Sequence, residues 1–294
     1  MEVNARRSAM SVVRPSSVNA RSTAVTVIRP SSGWGLPDLR ELWDYRELLY
    51  FFVWRDVTVR YKQTVLGAAW AILQPFFTMV VFSLFFGRLA GVPSDGLPYP
   101  VFSFSALVVW QLFATGLNQG ANSVVKHQNL VKKIYFPRLA LPTSAVLSGI
   151  VDFAIAFVVL LALMAYYGFA PTMRMVWLPA LIAFALLTSL AVSYWLSALN
   201  TRYRDFQYIT PFIVQAWLFI TPIAYPSSLL PDQWRVLYAV NPMAGVVEGF
   251  RWALLGADTR PSGMILVSGL VTLGLLLSGL VYFRRLERTM ADVV

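Results

Sequence analysis

Apolar and charged positions along this chain are sorted into separate blocks, and the blocks have membrane dimensions. Residues 63–87, 96–125, 175–201, 206–231 and 261–283 contain no Asp, Glu, Lys, Arg or His, and residues 139–173 contain only Asp152. A helix that crosses ~30 Å of hydrocarbon needs about 20 apolar residues, so the six windows predict six transmembrane helices. Ahead of the first, residues 38–62 (DLRELWDYRELLYFFVWRDVTVRYK) mix charges with aromatic and aliphatic side chains. They predict an amphipathic helix at the membrane face, joined to the first span without a linker. Residues 126–137 (KHQNLVKKIYFP) carry four cationic or potentially cationic groups and no acid, with Leu130, Val131, Ile134 and Tyr135 at helical spacing. They predict a short interfacial helix stopped by Pro137. Between the last two windows, Trp234–Val240 and Gly245–Leu255 flank Asn241-Pro242. Both are too short to span, which predicts re-entrant helices within 226–258.

The fold expected is therefore an all-α polytopic membrane protein with one transmembrane domain, residues 63–286, and a short tail at 287–294. Basic residues orient it. With segments numbered alternately from the N-terminus, one side holds nineteen Lys and Arg and the other only Arg88, Arg174, Arg235, Arg251 and Arg260. The richer side is expected to be cytoplasmic, and it includes both termini. Composition agrees: 57% of residues are hydrophobic and 13% charged, with a mean hydropathy of +0.62, against ~25% charged in soluble domains. The net charge of +10 suits anionic lipid headgroups, and no compact basic domain exists to bind nucleic acid.

Residues 1–37 differ in kind. Val3–Ser17 (VNARRSAMSVVRPSS) is repeated as Val18–Ser32 (VNARSTAVTVIRPSS). Rich in Arg, Ser and Pro, this segment cannot bury a core and reads as a disordered cytoplasmic tail. It has no apolar stretch of the kind a secretory signal requires.

Chemistry-bearing constellations are scarce. The chain has no cysteine and a single histidine, His127, which excludes disulfides, thiolate metal sites and histidine-rich metal centres. No G-x-x-x-x-G-K-[ST] phosphate loop occurs. Asp152, mid-span, is a functional candidate by position, but no base inside a span is available to make it a proton relay, so it is expected to bond neighbouring helices. Gln111, Thr115, Asn118 and Asn122 fall on one face of the second span, which suits either helix–helix hydrogen bonds or a water-filled path. Glu248 and Arg251, three apart, are expected to pair. Aromatic residues make up 15% of the chain, and Trp70, Phe76, Trp110, Trp195 and Trp217 lie deeper than an interfacial belt requires. Aromatic faces suit sugar rings, although for any single one of these residues helix-packing bulk is the favoured reading.

Several short motifs together resemble the membrane subunit of bacterial ABC transporters that export lipid-linked polysaccharides. They are Trp54-Arg55-Asp56, Arg60-Tyr61-Lys62, Leu66-Gly67-Ala68-Ala69-Trp70, Gln74-Pro75, Pro98-Tyr99-Pro100 and Trp110, followed by Asn129-Leu130-Val131-Lys132-Lys133, Tyr135-Phe136-Pro137-Arg138, Tyr203-Arg204-Asp205 and Asn241-Pro242. The resemblance covers about residues 38–290 and omits the duplicated tail. It implies a homodimer in the bacterial inner membrane, with a separate ATPase bound to each cytoplasmic face. ATP and Mg would reside on that partner, and this chain would hold no cofactor. Residues 126–137 would be the coupling helix that docks on the ATPase, through Asn129, Leu130, Lys132, Lys133, Tyr135 and Phe136, with Arg204 and Asp205 beside it. Trp54, Arg55, Arg60, Tyr61 and Lys62 would frame the gate. An aromatic glycan channel would include Trp70, Phe76, Trp110, Phe113, Trp195, Trp217 and Phe219. Export of another amphiphile, a membrane-embedded transferase acting on lipid-linked sugar, and a stand-alone channel are the alternatives. The transferase lacks candidate acids and bases.

Overall fold

The computed structural model describes residues 39–62, 67–257 and 262–293. The tandem repeat, with the disordered tail expected of it, lies outside them, as do Gln63–Leu66 and residues 258–261. The described residues are helical and contain no strand. Two helices, α1 (Leu39–Asp44) and α2 (Arg46–Lys62), precede the bundle. Helix α3 (Gly67–Phe82) continues into a π-helical stretch, Ser83–Leu89. Then come α4 (Tyr99–Lys126), the short α5 (Gln128–Lys133), α6 (Ala140–Tyr166) and α7 (Leu178–Arg202), which is entered through a 3-10 turn at Met173–Trp177. The chain ends with α8 (Phe206–Ile220), α9 (Asp232–Tyr238), α10 (Pro242–Leu255) and α11 (Ser262–Val293).

Five of these stretches are long and apolar enough to cross a membrane: Ala69–Leu89, Tyr99–Lys126, Ala140–Tyr166, Met173–Arg202 and Gly263–Glu287. The chain is thus a polytopic integral membrane protein. The remaining apolar window yields only the 15 residues of α8, about 22 Å at 1.5 Å per residue. Its stop is local: Pro222 disfavours helical geometry in the residue before it, and Thr221 is extended at φ −90°, ψ 143°. Other boundaries are equally legible. Asn241 caps α10 by accepting a hydrogen bond from the Met243 N–H at 3.1 Å, with Pro242 in the first turn. Beyond α6, Gly168 takes φ +78°, and the N–H of Phe169 reaches back to the Met164 carbonyl at 2.9 Å.

Helix α4 is the hub, packed against α6, α7 and α10 and buried along most of its length. Gly116 and Gly120 make its approach to α7 possible. A Cβ on either would lie 2.6 or 2.5 Å from the hydroxyl oxygen of Ser189 or Ser193, the small-residue spacing that lets membrane helices meet closely. At that contact the Ser189 hydroxyl donates to the Phe113 carbonyl at 3.3 Å.

One end of the bundle is sealed by α9, α10 and the turn after α8. Arg251 is buried there and donates to Glu248 Oε1 at 3.2 Å and to the Ile223 carbonyl at 2.8 Å, with its guanidinium 3.6 Å from the Phe102 ring centre. Glu248 also accepts from the Ser227 N–H at 3.2 Å, and the Tyr99 hydroxyl donates to the Ala224 carbonyl at 2.6 Å. Arg235 ties down the same turn through the carbonyls of Ser227, Ser228 and Leu230. The expected Glu248–Arg251 pair is therefore present, inside a larger network.

At the opposite, basic end a second apolar cluster joins α2, α5, α6, α7 and α11 through Phe52, Val131, Phe136, Leu139, Tyr194, Phe283 and Met290. The residues after 286 are not a separate tail. Helix α11 runs on to Val293, and Met290 is buried.

Two outcomes follow. Gly120→Leu should force α4 from α7 and cost about 1–3 kcal/mol, whereas Ser193→Ala should be close to neutral, because the Ser193 hydroxyl has no partner. Melting temperatures in detergent check both. Arg251→Met should cost about 3–5 kcal/mol by stranding the Glu248 carboxylate, and adding Glu248→Gln should recover part of that loss.

Candidate functional site

The basic end brings together most of the side chains that the motifs single out. Helix α5 ends at Lys133 and does not continue to Pro137, because Ile134 is already extended at φ −132°, ψ 136°. The residues at helical spacing therefore split. Leu130 and Val131 turn inward to the apolar cluster, whereas Ile134 and Tyr135 are exposed. Asn129, Lys132 and Lys133 are exposed with them, and Phe136 is buried against the Phe52 ring at 5.6 Å. The result is a cationic and aromatic knuckle on an apolar footing. Arg204 and Asp205, in the connector between α7 and α8, are exposed at the same end.

Helix α2 exposes Arg46 and Glu47 at its start, whereas the charged residues Arg55, Asp56 and Arg60 of its later turns lean toward the protein. Tyr50, Phe51 and Trp54 are exposed, Phe52 is buried, and Arg55, Asp56, Arg60 and Tyr61 are half-buried. Lys62 is exposed at its end. Arg55 donates to Asp56 at 2.8 Å, lies 4.9 Å from the Phe52 ring centre, and reaches His127.

Arg60 and Tyr61 both bond the Asp152 carboxylate, and Arg60 also reaches Gln119 and, at 3.3 Å, Ser148. Asp152 therefore has a basic partner, supplied from outside the spans. It is the thirteenth residue of α6, about 18 Å along the helix from Ala140, so the end of α2 reaches well into the bundle rather than lying flat across its face. Phe52 near Phe136 and Arg60 at Asp152 set α2 running alongside the first half of α6. Residues 60 and 152 are 92 positions apart, and no periodicity in the sequence relates them.

The aromatic candidates divide by exposure. Trp110 and Phe113 are buried in the core, and Phe113 meets Trp217 edge-on at 5.1 Å. The Trp217 indole N–H donates to Asn241 at 2.8 Å. Trp195 stacks on Tyr282 at 4.4 Å and joins α7 to α11. Trp70, Phe76 and Phe219 face outward. The polar face of α4 is largely bonded within itself, through Gln111 to Thr115, Asn118 to the Ala114 carbonyl and Asn122 to the Asn118 carbonyl, with one bridge from Asn200 of α7 to Asn122 at 2.9 Å.

His127 sits at the corner between α4 and α5. Its Nδ1 is 2.8 Å from the Ser123 carbonyl and its Nε2 is 2.7 Å from the Arg55 guanidinium. A carbonyl only accepts and a guanidinium only donates, so the ring is neutral: Nδ1–H donates to Ser123, and Nε2 accepts from Arg55. Burial holds its pKa below the usual histidine value; the nearby Arg55 and Lys126 push the same way, against Ser123 and Asp56. Because folding weakens proton binding here, the stabilisation is complete above the ordinary value of about 6.5 and is lost as pH falls through the folded value. The melting temperature in detergent should fall between about pH 7.5 and about pH 5, and His127→Gln should remove part of that fall. An identical pH dependence in both proteins would refute this assignment.

Among the described residues no cluster of His, Asp and Glu is suited to a metal ion. Known proteins place the arrangement in a family. The chain is 33% identical over 216 residues, 72% of its length and 82% of the other, to the O-antigen export system permease protein RfbA of Myxococcus xanthus. It is 26% identical to RfbA of Klebsiella pneumoniae, over 84% of this chain and 95% of that one. It is 21% identical to the polysialic acid transport protein KpsM of Escherichia coli, over 80% and 92%. A family model described as ABC-2 type transporter matches residues 47–255, a span that takes in α2, the α5 knuckle and the sealed end, and the chain belongs to that family.

Proposed function

We propose that the chain is the permease subunit of an ATP-driven exporter that carries a lipid-linked polysaccharide, such as an O-antigen, from the cytoplasmic to the outer side of the bacterial inner membrane. The observation that carries this reading is the similarity to O-antigen export permeases over most of both chains. In this reading the basic end is cytoplasmic, and both termini lie there. Helix α8 and the turn after it form a broken sixth crossing, with α9 and α10 as re-entrant helices on the outer side. The permease is not itself an enzyme. ATP and Mg belong to a separate ATPase, one copy under each subunit of a homodimer.

The α5 knuckle supports the docking role. Lys132, Lys133, Ile134 and Tyr135 project outward while Leu130, Val131 and Phe136 anchor them, so a push on the knuckle is delivered to α2, α6 and α11 together. The exposed aromatic residues Trp70 and Phe76 of α3 and Phe219 of α8 are the ones placed to line a glycan path completed by a second copy. Trp110 and Phe113 stand behind that surface as packing, with Trp217 of α8 set against Phe113.

Reversing Lys132 and Lys133 to Glu should reduce export and coupled ATP hydrolysis severalfold while leaving membrane insertion intact, and normal export from the double variant would remove the docking assignment. Trp70→Ala and Phe219→Ala should lower export more than protein level, and Trp110→Ala should lower both together. ATP-dependent glycan flux in liposomes holding permease and ATPase tests the reading as a whole. Flux without ATP would favour a channel, and flux of a different amphiphile alone would shift the substrate class.

A further inference from the structure

An ion pair at the sealed end and another midway along α6 are built differently. Arg251 and Glu248 retain 1% and 5% of their side-chain exposure and are enclosed by carbonyls, an amide and a ring. Opening that pair would strand a charge in apolar surroundings. Arg60 and Asp152 retain 23% and 16%. Their neighbours, Gln119, Ser148 and Tyr61, are neutral polar groups that can go on solvating either charge once the two separate. The first pair is a fixed clamp, and the second has the environment of a contact that opens and closes.

The attachment of α2 points the same way. Among its described residues only Phe52 is fully buried. With Leu48 and Leu49, which pack on the basic-end cluster, it anchors the first half of α2. The later turns are gripped by Arg55 at His127 and by Arg60 with Tyr61 at Asp152. Apolar burial is broad and insensitive to small shifts, whereas such bonds are lost over about an ångström. A helix anchored by apolar side chains in its first half and by polar contacts at its end can lift that end from its seat while the anchor holds.

We propose that Asp152 is the positioning residue of a releasable latch. It seats the inner end of α2, and so the entry to the first span, on α6, and Arg60 and Tyr61 leave it during each transport cycle. This rests on the reading of the chain as an ATP-driven permease. Asp152 touches no transported group; it acts through where it holds α2.

The chain has no cysteine, so the double variant Arg60→Cys/Asp152→Cys has a single thiol pair. In liposomes holding the full complex, joining the thiols with a reducible bifunctional reagent should lower ATP-dependent export about tenfold below that of the same variant before joining, and reduction should return it to that variant's own level. The yield of cross-linking should also fall when the ATPase is trapped with ATP. Undiminished export from fully cross-linked protein, or a yield indifferent to nucleotide, would overturn the latch. Asp152→Asn keeps the shape but removes the charge, and it should lower the ratio of export to hydrolysis about threefold or more. An unchanged ratio would also overturn the proposal. Failure of the unsubstituted complex to export with ATP would be a different result, removing the transport reading itself.

Discussion

The close contact between α4 and α7 is the constraint on which the bundle depends. Apolar side chains gain little by leaving lipid for one another, so membrane helices associate where small residues let backbones meet and where polar groups find partners. Gly116 and Gly120 against Ser189 and Ser193 provide the first condition, and Asn200 donating to the Ala121 carbonyl at 3.2 Å and to Asn122 provides the second. With α4 held so, its other faces become reference surfaces. Phe102 receives Arg251 at one end, Phe113 receives Trp217 in the middle, Gln119 meets Arg60, and His127 meets Arg55 at the basic end. Each functional element is measured against one buried helix.

Much of this architecture is legible in the sequence, because charge-free windows of membrane length have few alternatives. What is not legible has physical causes. Lipid and protein core are equally apolar, so nothing in the pattern separates Trp110, which is buried, from Trp70, which faces out. The same ambiguity hides the polarity of α2. Arg55 and Arg60 look as if they should face water, yet they turn inward, where His127, Asp152 and Gln119 offer partners. Helix α5 is shorter than its pattern predicts for a different reason. Pro137 marks where a helix must stop, but the chain leaves helical geometry at Ile134, and only the docking of Phe136 on Phe52 accounts for the side chains beyond it. The truncation of α8 is recoverable from Pro222 alone, if its effect on the preceding residue is given more weight than the apolar window around it.

The Arg60–Asp152 contact illustrates what a linear reading omits. A carboxylate in the middle of a span is costly without a counter-charge, so its presence predicts a partner somewhere. No Lys or Arg lies within the charge-free windows, so the partner has to come from outside them. The chain solves the problem by running a pre-span helix along α6 until Arg60, in its last turn, arrives at depth. That solution requires α2 to enter the bundle, and it makes the position of α2 hostage to one carboxylate.

Stiffness is therefore distributed unevenly, and the distribution suits a machine driven from one side. At the end sealed by α10, the bonds of Arg251, Glu248, Arg235, Tyr99 and Asn241 cross between the α8 turn, α9, α10 and α4, so these elements move as one body. At the basic end, α2 rests on Phe52, Leu48 and Leu49 and on a few half-exposed polar contacts, and it lies beside the knuckle that a partner would press. Displacement entering at α5 meets His127 and Arg55 first, and then the seat at Asp152. Coupling between sites requires an element with two discrete arrangements that both sites bias. Under the proposed latch the end of helix α2 is the element that meets this condition, because its seat at Asp152 is polar and the neighbouring Gln119, Ser148 and Tyr61 can solvate the separated charges.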